Sequence, residues 1–167
     1  MYVYYIGFPV LLLAAVIDAS VLVELRYLNG QPSLLLMLVV SWALLNDVAD
    51  ALPWAVMGGV LADLLSVTPT GATSLALSLV VLAVTSAFGR VSRRNVVFPP
   101  VAAGIGTVIY VIVLLAVLTL AGWSIPPGGA VARWLAPSLV FNLIGILVVF
   151  RTMGALVEFF RPPAAQI

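Results

Sequence analysis

The sequence contains no cysteine, no histidine and no lysine, and charged residues make up only 8% of its 167 positions. The lack of cysteine excludes disulfides and thiol nucleophiles, and the lack of histidine removes the commonest general base and metal ligand. All seven basic residues are therefore arginine. They form no basic stripe interleaved with aromatic residues, and the net charge is only +1, so we expect no binding of nucleic acid.

The remaining acid and base groups are too scattered to suggest catalysis. Without histidine, the candidate general acids and bases are the six carboxylates, and no two of them lie one helical turn apart within a predicted membrane span. They are Asp18, Glu24, Asp47, Asp50, Asp63 and Glu158. We therefore predict a protein that is not an enzyme and that has no cofactor and no metal site.

Apolar residues dominate what is present, at 64% of the chain. A membrane crossing takes about 20 apolar residues, so six crossings would use roughly 120 and leave only short loops. This pattern predicts an all-α integral membrane protein made of a single transmembrane domain with six helices. The predicted spans are residues 6–23, 33–46, 51–66, 69–88, 100–121 and 134–150. The second run is short, and the sequence leaves open whether it crosses the membrane or re-enters on the same side.

Local signals predict where several helices begin. Pro9 is expected in the first turn of the first span, where proline is tolerated. Asp50 is expected to cap the third span with Pro53 in its first turn, and Thr68 and Pro69 read as the cap and first position of the fourth span. Residues 122–129, GWSIPPGG, are predicted to be a loop, and residues 152–160 are expected to extend as an interfacial helix.

The third span carries a carboxylate on a ridge of small residues. Ala51, Ala55, Gly59 and Asp63 recur every four positions, and small residues at this spacing let helices approach closely in lipid. Asp63 lies near the helix C-terminus, where the helix dipole disfavours negative charge. We therefore expect it to be stabilised by N–H groups of residues 66–71 and of the first turn of the next helix.

The arginines set the predicted orientation. Arg90, Arg93 and Arg94 form a basic cluster directly after the fourth span, which predicts a cytoplasmic loop in contact with lipid headgroups. Alternation outward from this loop places both termini in the cytoplasm and Asp63 near the outer surface. Asp18 then simply reaches the outer interface, and Asn142 in the sixth span is expected to form an interhelical hydrogen bond.

The motif of residues 54–71 resembles that of the bacterial rod shape-determining MreD family. The resemblance lies in Gly59-x-x-x-Asp63-Leu64-Leu65, followed by Thr68-Pro69-x-Gly71, a Leu-rich fourth span and an Arg-rich loop. The resemblance implies a non-enzymatic subunit of the cell-elongation complex in the inner membrane. It would contribute to lateral peptidoglycan synthesis by binding an MreC-like scaffold and, through it, a RodA-type glycosyltransferase, a penicillin-binding transpeptidase and the actin-like MreB.

The resemblance also implies a fold, and the same motif supplies candidate contact residues. The fold it implies is similar to the six-helix substrate-binding subunits of energy-coupling-factor vitamin transporters. The third and fourth spans would form a rigid unit against which a partner helix packs. The candidates for helix packing or partner contact are Ala55, Gly59, Asp63, Pro69 and Gly71.

Two alternative functions follow from the same residues. The first is a vitamin-transporter subunit, which would dock its coupling module through an Ala-x-x-x-Ala motif. Ala15 and Ala19 have that spacing, but the predicted orientation places them toward the outer side and Asp18 interrupts them. The second is a lipid-modifying enzyme that uses Asp63 as its catalytic group.

Overall fold

The protein was analysed as a computed structural model, which describes residues 2–20, 32–89, 97–124 and 128–159. Within these ranges the chain is all-helical, as predicted, with six α-helices and no strand. The helices are α1 Tyr2–Ser20, α2 Leu34–Leu45, α3 Val48–Leu64, α4 Ala72–Phe88, α5 Phe98–Leu120 and α6 Gly128–Phe159. The basic cluster of Arg90, Arg93 and Arg94 lies outside the described residues.

Helix α2 is the centre of the bundle. Its residues 35–44 are all buried, and it packs against each of the other five helices. The others form an arc around it in the order α1, α3, α4, α5, α6. A helix that is apolar on every side is expected to be buried on every side. Its 12 residues rise only about 18 Å, which is less than the roughly 30 Å of a bilayer core.

Helix α3 begins earlier than predicted. The main-chain N–H groups of Asp50 and Ala51 donate to the carbonyl of Asp47 over 3.1 and 3.0 Å, so the first helical turn has already formed at Asp50. Asp47 is the N-cap, and Asp50 lies in the first turn, where the helix dipole favours a carboxylate. The predicted cap at Asp50 was therefore wrong, and Pro53 lies inside the helix rather than in its first turn.

Helix α4 begins later than predicted. Gly71 is its N-cap, with a left-handed φ of 98°, which a residue with a side chain adopts only with strain. Ahead of it, the N–H group of Ala72 donates to the carbonyl of Pro69 over 3.1 Å and closes a turn. Thr68 and Pro69 therefore belong to the turn between α3 and α4, and the prediction that they start the helix was wrong.

The first and last helices are longer than the predicted spans. Helix α1 starts at Tyr2, so Pro9 lies inside it and not in its first turn. Helix α6 runs without interruption over 32 residues and includes Gly128 and Gly129, which were predicted to lie in a loop. Residues 152–159 continue it, and the Thr152 hydroxyl bonds back to the carbonyls of Val148 and Val149. The helical extension predicted over residues 152–160 is therefore present as far as Phe159.

Among the described residues, two helices have the length and composition needed to cross a membrane, namely Phe98–Leu120 and Gly128–Glu158. The apolar helices α2 and α4, and the Gly7–Ser20 part of α1, are shorter. Helix α5 exposes Val101, Ile105, Val108 and Ile112 along one face. A continuous apolar stripe of this kind is stable when it faces lipid rather than water.

Candidate functional site

Asp63 is buried at the end of α3, with only 3% of its surface exposed. Its carboxylate accepts hydrogen bonds from the N–H groups of Gly71 at 2.7 Å and Thr73 at 3.1 Å, and from the Thr68 hydroxyl at 3.2 Å. These donors belong to the segments that the sequence pointed to. Two of them are main-chain groups at the N-terminus of α4, where a helix has unpaired N–H groups and favours negative charge. Asp63 therefore joins the end of α3 to the start of α4.

The conformation of the turn between these helices places its hydrogen-bond donors next to Asp63. The Ser66 hydroxyl donates to the Asp63 carbonyl over 3.3 Å and is also hydrogen-bonded to the Thr68 hydroxyl. Pro69 fixes the backbone ahead of Gly71, whose left-handed conformation turns the chain into α4. Pro69 and Gly71 thus shape the turn that positions the N–H groups.

The small residues of α3 face the protein's own helices. Ala55 is fully buried, and a Cβ atom on Gly59 would lie 2.3 Å from the Cα of Ser74 in α4. The Ser74 hydroxyl donates to the Val56 carbonyl over 3.2 Å, which adds a hydrogen bond to this close approach. The face of α3 with Ala55 and Gly59 is therefore occupied by the chain itself.

Asp18 repeats the arrangement of Asp63 at the next pair of helices. It lies in the last turn of α1, and its carboxylate accepts the N–H groups of Leu34 at 2.8 Å and Leu35 at 3.0 Å and the Ser33 hydroxyl at 3.1 Å. Ser33 is itself the N-cap of α2 and accepts the N–H of Leu36. Asp18 therefore anchors the start of the central helix, and the expectation that it simply reaches the interface was wrong.

Asn142 ties α6 to the same region. Its side-chain carbonyl accepts the N–H of Ser33 at 3.0 Å, and its amide group donates to the hydroxyl of Thr107 in α5 at 3.1 Å. Both side chains are buried, and the Thr107 hydroxyl donates onward to the Ala103 carbonyl over 2.7 Å. The interhelical hydrogen bond expected of Asn142 is present and also reaches the cap of α2.

A cavity of about 390 Å³ lies between these two capped turns and helices α5 and α6. Asp18, Ser33 and Asn142 line one part of it, and Thr68 and Thr73, two of the partners of Asp63, line another. Tyr110 lines it too. The cavity is therefore where the two carboxylate-capped turns converge, and no single sequence motif indicated it.

The acid-rich segment before α3 has a structural role. The main-chain carbonyl of Asp47 accepts the first N–H groups of α3, and the Asp50 carbonyl accepts the indole N–H of Trp42 at 3.2 Å. The Trp42 ring stacks on Trp54 with 4.3 Å between ring centroids. This segment thus fixes the far end of α2 against α3, opposite the end held by Asp18.

Comparison with known proteins gives one family. The family model described as rod shape-determining protein MreD matches residues 1–160. The comparison with curated proteins gave no match, and neither did the comparison with solved structures.

Proposed function

This chain belongs to the MreD family of rod shape-determining membrane proteins, and from that premise we propose that it acts in the inner membrane as a non-enzymatic subunit of the cell-elongation complex. Its direct partner is an MreC-like scaffold. Through that scaffold it is linked to a RodA-type glycosyltransferase, a penicillin-binding transpeptidase and the actin-like MreB. The match over residues 1–160 is the observation that carries the proposal.

The hydrogen bonds of Asp18 and Asp63 support a role by contact rather than by chemistry. Each carboxylate accepts three donors from the start of the next helix or from the turn before it. At Asp63 these donors occupy both carboxylate oxygens, so the group stabilises the turn between α3 and α4. The alternative of a lipid-modifying enzyme with Asp63 as its catalytic group therefore has little support.

The arrangement of the helices agrees with an orientation that has both termini in the cytoplasm. Both capped turns line one cavity, so they lie at the same end of the bundle. In the proposed orientation this end faces outward, and the loop with Arg90, Arg93 and Arg94 faces the cytoplasm.

The scaffold must contact a surface other than the small-residue face of α3. Because α4 covers Gly59 and Ala55 is fully buried, these residues act on a partner only indirectly, through the packing of α3 within the chain. Asp63, Pro69 and Gly71 act in the same indirect way, since they fix the turn between the two helices.

Co-purification tests the proposal and separates it from transport. The tagged protein, extracted from native membranes in mild detergent, is expected to recover an MreC-like scaffold and wall synthases. Asp63→Leu should reduce that recovery, whereas Asp50→Asn, on the exposed side of the same helix, should leave it unchanged. Recovery of ATPase subunits with a coupling protein, and no scaffold, would overturn the proposal in favour of a transporter subunit.

The transporter alternative meets a structural difficulty. Ala15 of the Ala-x-x-x-Ala pair is only 1% exposed, and both Ala15 and Ala19 line the internal cavity. A coupling module docks through an accessible helix face, and Ala15 does not offer one.

A further inference from the structure

The cavity beside Asp18 and the α3–α4 turn is partly open and has a volume of about 390 Å³. It falls within the size range of small-molecule sites, about 300 to 1,000 Å³. Its size and its composition together indicate a binding site.

The walls of the cavity are amphipathic. Leu35, Leu77, Val111 and Leu114 supply apolar surface from three helices. Polar side chains from four elements converge on the same space. They are Asp18, Thr73, Thr107, Tyr110, Ser138 and Asn142. An apolar wall with a few converging polar groups is typical of sites that orient one small molecule.

The charges on the cavity walls determine which ligand charge the cavity can accept. Among the described residues that line the cavity, Asp18 is the charged one and no arginine is present. Arg133 and Arg151 are exposed on α6, away from the cavity. Within the described part of the chain, a phosphate or carboxylate ligand would therefore meet no compensating cation on the cavity walls, which costs free energy at low dielectric.

Asp18 and Asn142, on the polar wall of the cavity, can each form a further hydrogen bond. The Oδ1 atom of Asp18 accepts only the N–H of Leu34 within the described part of the chain, although a carboxylate oxygen can accept two bonds. The Asn142 amide nitrogen carries two hydrogens, and one of them goes to Thr107. Both residues line the cavity, so a ligand donor can meet Asp18 and a ligand acceptor can meet Asn142.

We propose that this cavity binds one small molecule with an apolar body and an uncharged or cationic head that donates hydrogen bonds. The apolar body lies against Leu35, Leu77 and Leu114, and the head donates to Asp18. Because the walls include Ser33 at the start of α2 and Thr68 in the α3–α4 turn, the bound molecule lies against both. The proposal rests on the cavity and is independent of which protein partner the chain binds.

A matched set of indoles tests the charge preference. The full chain in phosphatidylcholine nanodiscs is titrated with tryptamine, tryptophol and indole-3-acetate, which share one ring and differ in head charge. Ligand-observed NMR measures binding after subtraction of empty nanodiscs. We expect saturable binding of tryptamine and tryptophol, and binding of indole-3-acetate at least tenfold weaker. Equal or tighter binding of the anion, or no saturable binding of any probe, would overturn the proposal.

Cavity-filling variants locate the binding. Ala62→Leu on α3 and Leu114→Trp on α5 each add volume to the lining and are expected to weaken tryptamine binding at least tenfold. Ala87→Leu, on the exposed part of α4, should leave it within twofold. Circular dichroism checks that each variant is folded. Tryptamine binding that persists in both folded cavity-filling variants would place the site elsewhere and overturn the proposal, and the wild-type charge series decides the question even where a variant fails to fold.

Discussion

A Cβ atom on Gly59 would lie 2.3 Å from the Cα of Ser74 and 2.4 Å from its main-chain nitrogen. At this point the backbones of α3 and α4 are in contact, with no side chain between them. The Ser74 hydroxyl bonds to the Val56 carbonyl across the same contact, and Asp63 holds the two helices together one turn further along. The pair therefore behaves as one unit.

Gly59→Ala should strongly destabilise the protein. The added methyl group meets main-chain atoms, which cannot rotate away, so α3 and α4 must separate. Overpacking of this kind costs about 1 to 3 kcal/mol or more. Unfolding by denaturant titration in detergent micelles measures the effect. Gly104→Ala is the control, because its Cβ would lie 3.5 Å from a Leu143 methyl group, an ordinary contact. Equal stability of the two variants would contradict the close approach.

Removal of the Asp63 carboxylate should cost more than its neutralisation. Asp63→Ala leaves the N–H groups of Gly71 and Thr73 without their acceptor, and each buried unsatisfied donor costs about 1 to 3 kcal/mol. Asp63→Asn keeps one acceptor oxygen and should lose less. Thermal unfolding in detergent ranks the variants, and Asp50→Asn, exposed on the same helix, should match the wild type. If Asp63→Ala were as stable as Asp50→Asn, the carboxylate would not be holding the turn.

The partners of Asp63 could be predicted from the sequence, whereas those of Asp18 could not. The N–H donors to Asp63 lie eight and ten residues further along the chain, so a local turn signal was enough to indicate them. The donors to Asp18 lie 15 to 17 residues away, across a segment with no strong motif. Asp18 meets these donors only because the start of α2 packs against the end of α1.

The central position of α2 also depends on long-range packing. Its run of leucine and valine has the composition of a lipid-facing span, because a bilayer and a protein interior are both apolar. In the sequence, only the shortness of the predicted span, residues 33–46, indicated something unusual. The cavity depends in the same way on side chains from six helices, and no local pattern in the sequence predicts that they come together.

Asp18 and Ser33 should be energetically coupled. Ser33 donates to Asp18 and also accepts the N–H of Leu36 as the cap of α2. Loss of a serine cap typically costs about 1 kcal/mol, and residues in one hydrogen-bond network deviate from additivity by about 0.5 to 3 kcal/mol. A double-mutant cycle of Asp18→Ala and Ser33→Ala, read by unfolding free energy, measures this coupling. Ser33→Ala paired with Thr152→Ala on the exposed end of α6 is the control cycle. Additive effects in the first cycle would show that the two side chains act separately.

Gly7→Ala should disturb the stacked pair of Trp42 and Trp54. A Cβ atom on Gly7 would lie 2.6 Å from Cζ2 of the Trp54 ring, and that ring cannot retreat, because it stacks on Trp42 at 4.3 Å and is only 2% exposed. The ring or α1 must shift, at a cost of about 1 to 3 kcal/mol, and the near-ultraviolet circular dichroism of the tryptophans should lose intensity. Gly128→Ala, which meets nothing within 4 Å, should leave the spectrum unchanged. An unaltered spectrum and unfolding midpoint for Gly7→Ala would mean that α1 does not pack this closely on the tryptophan pair.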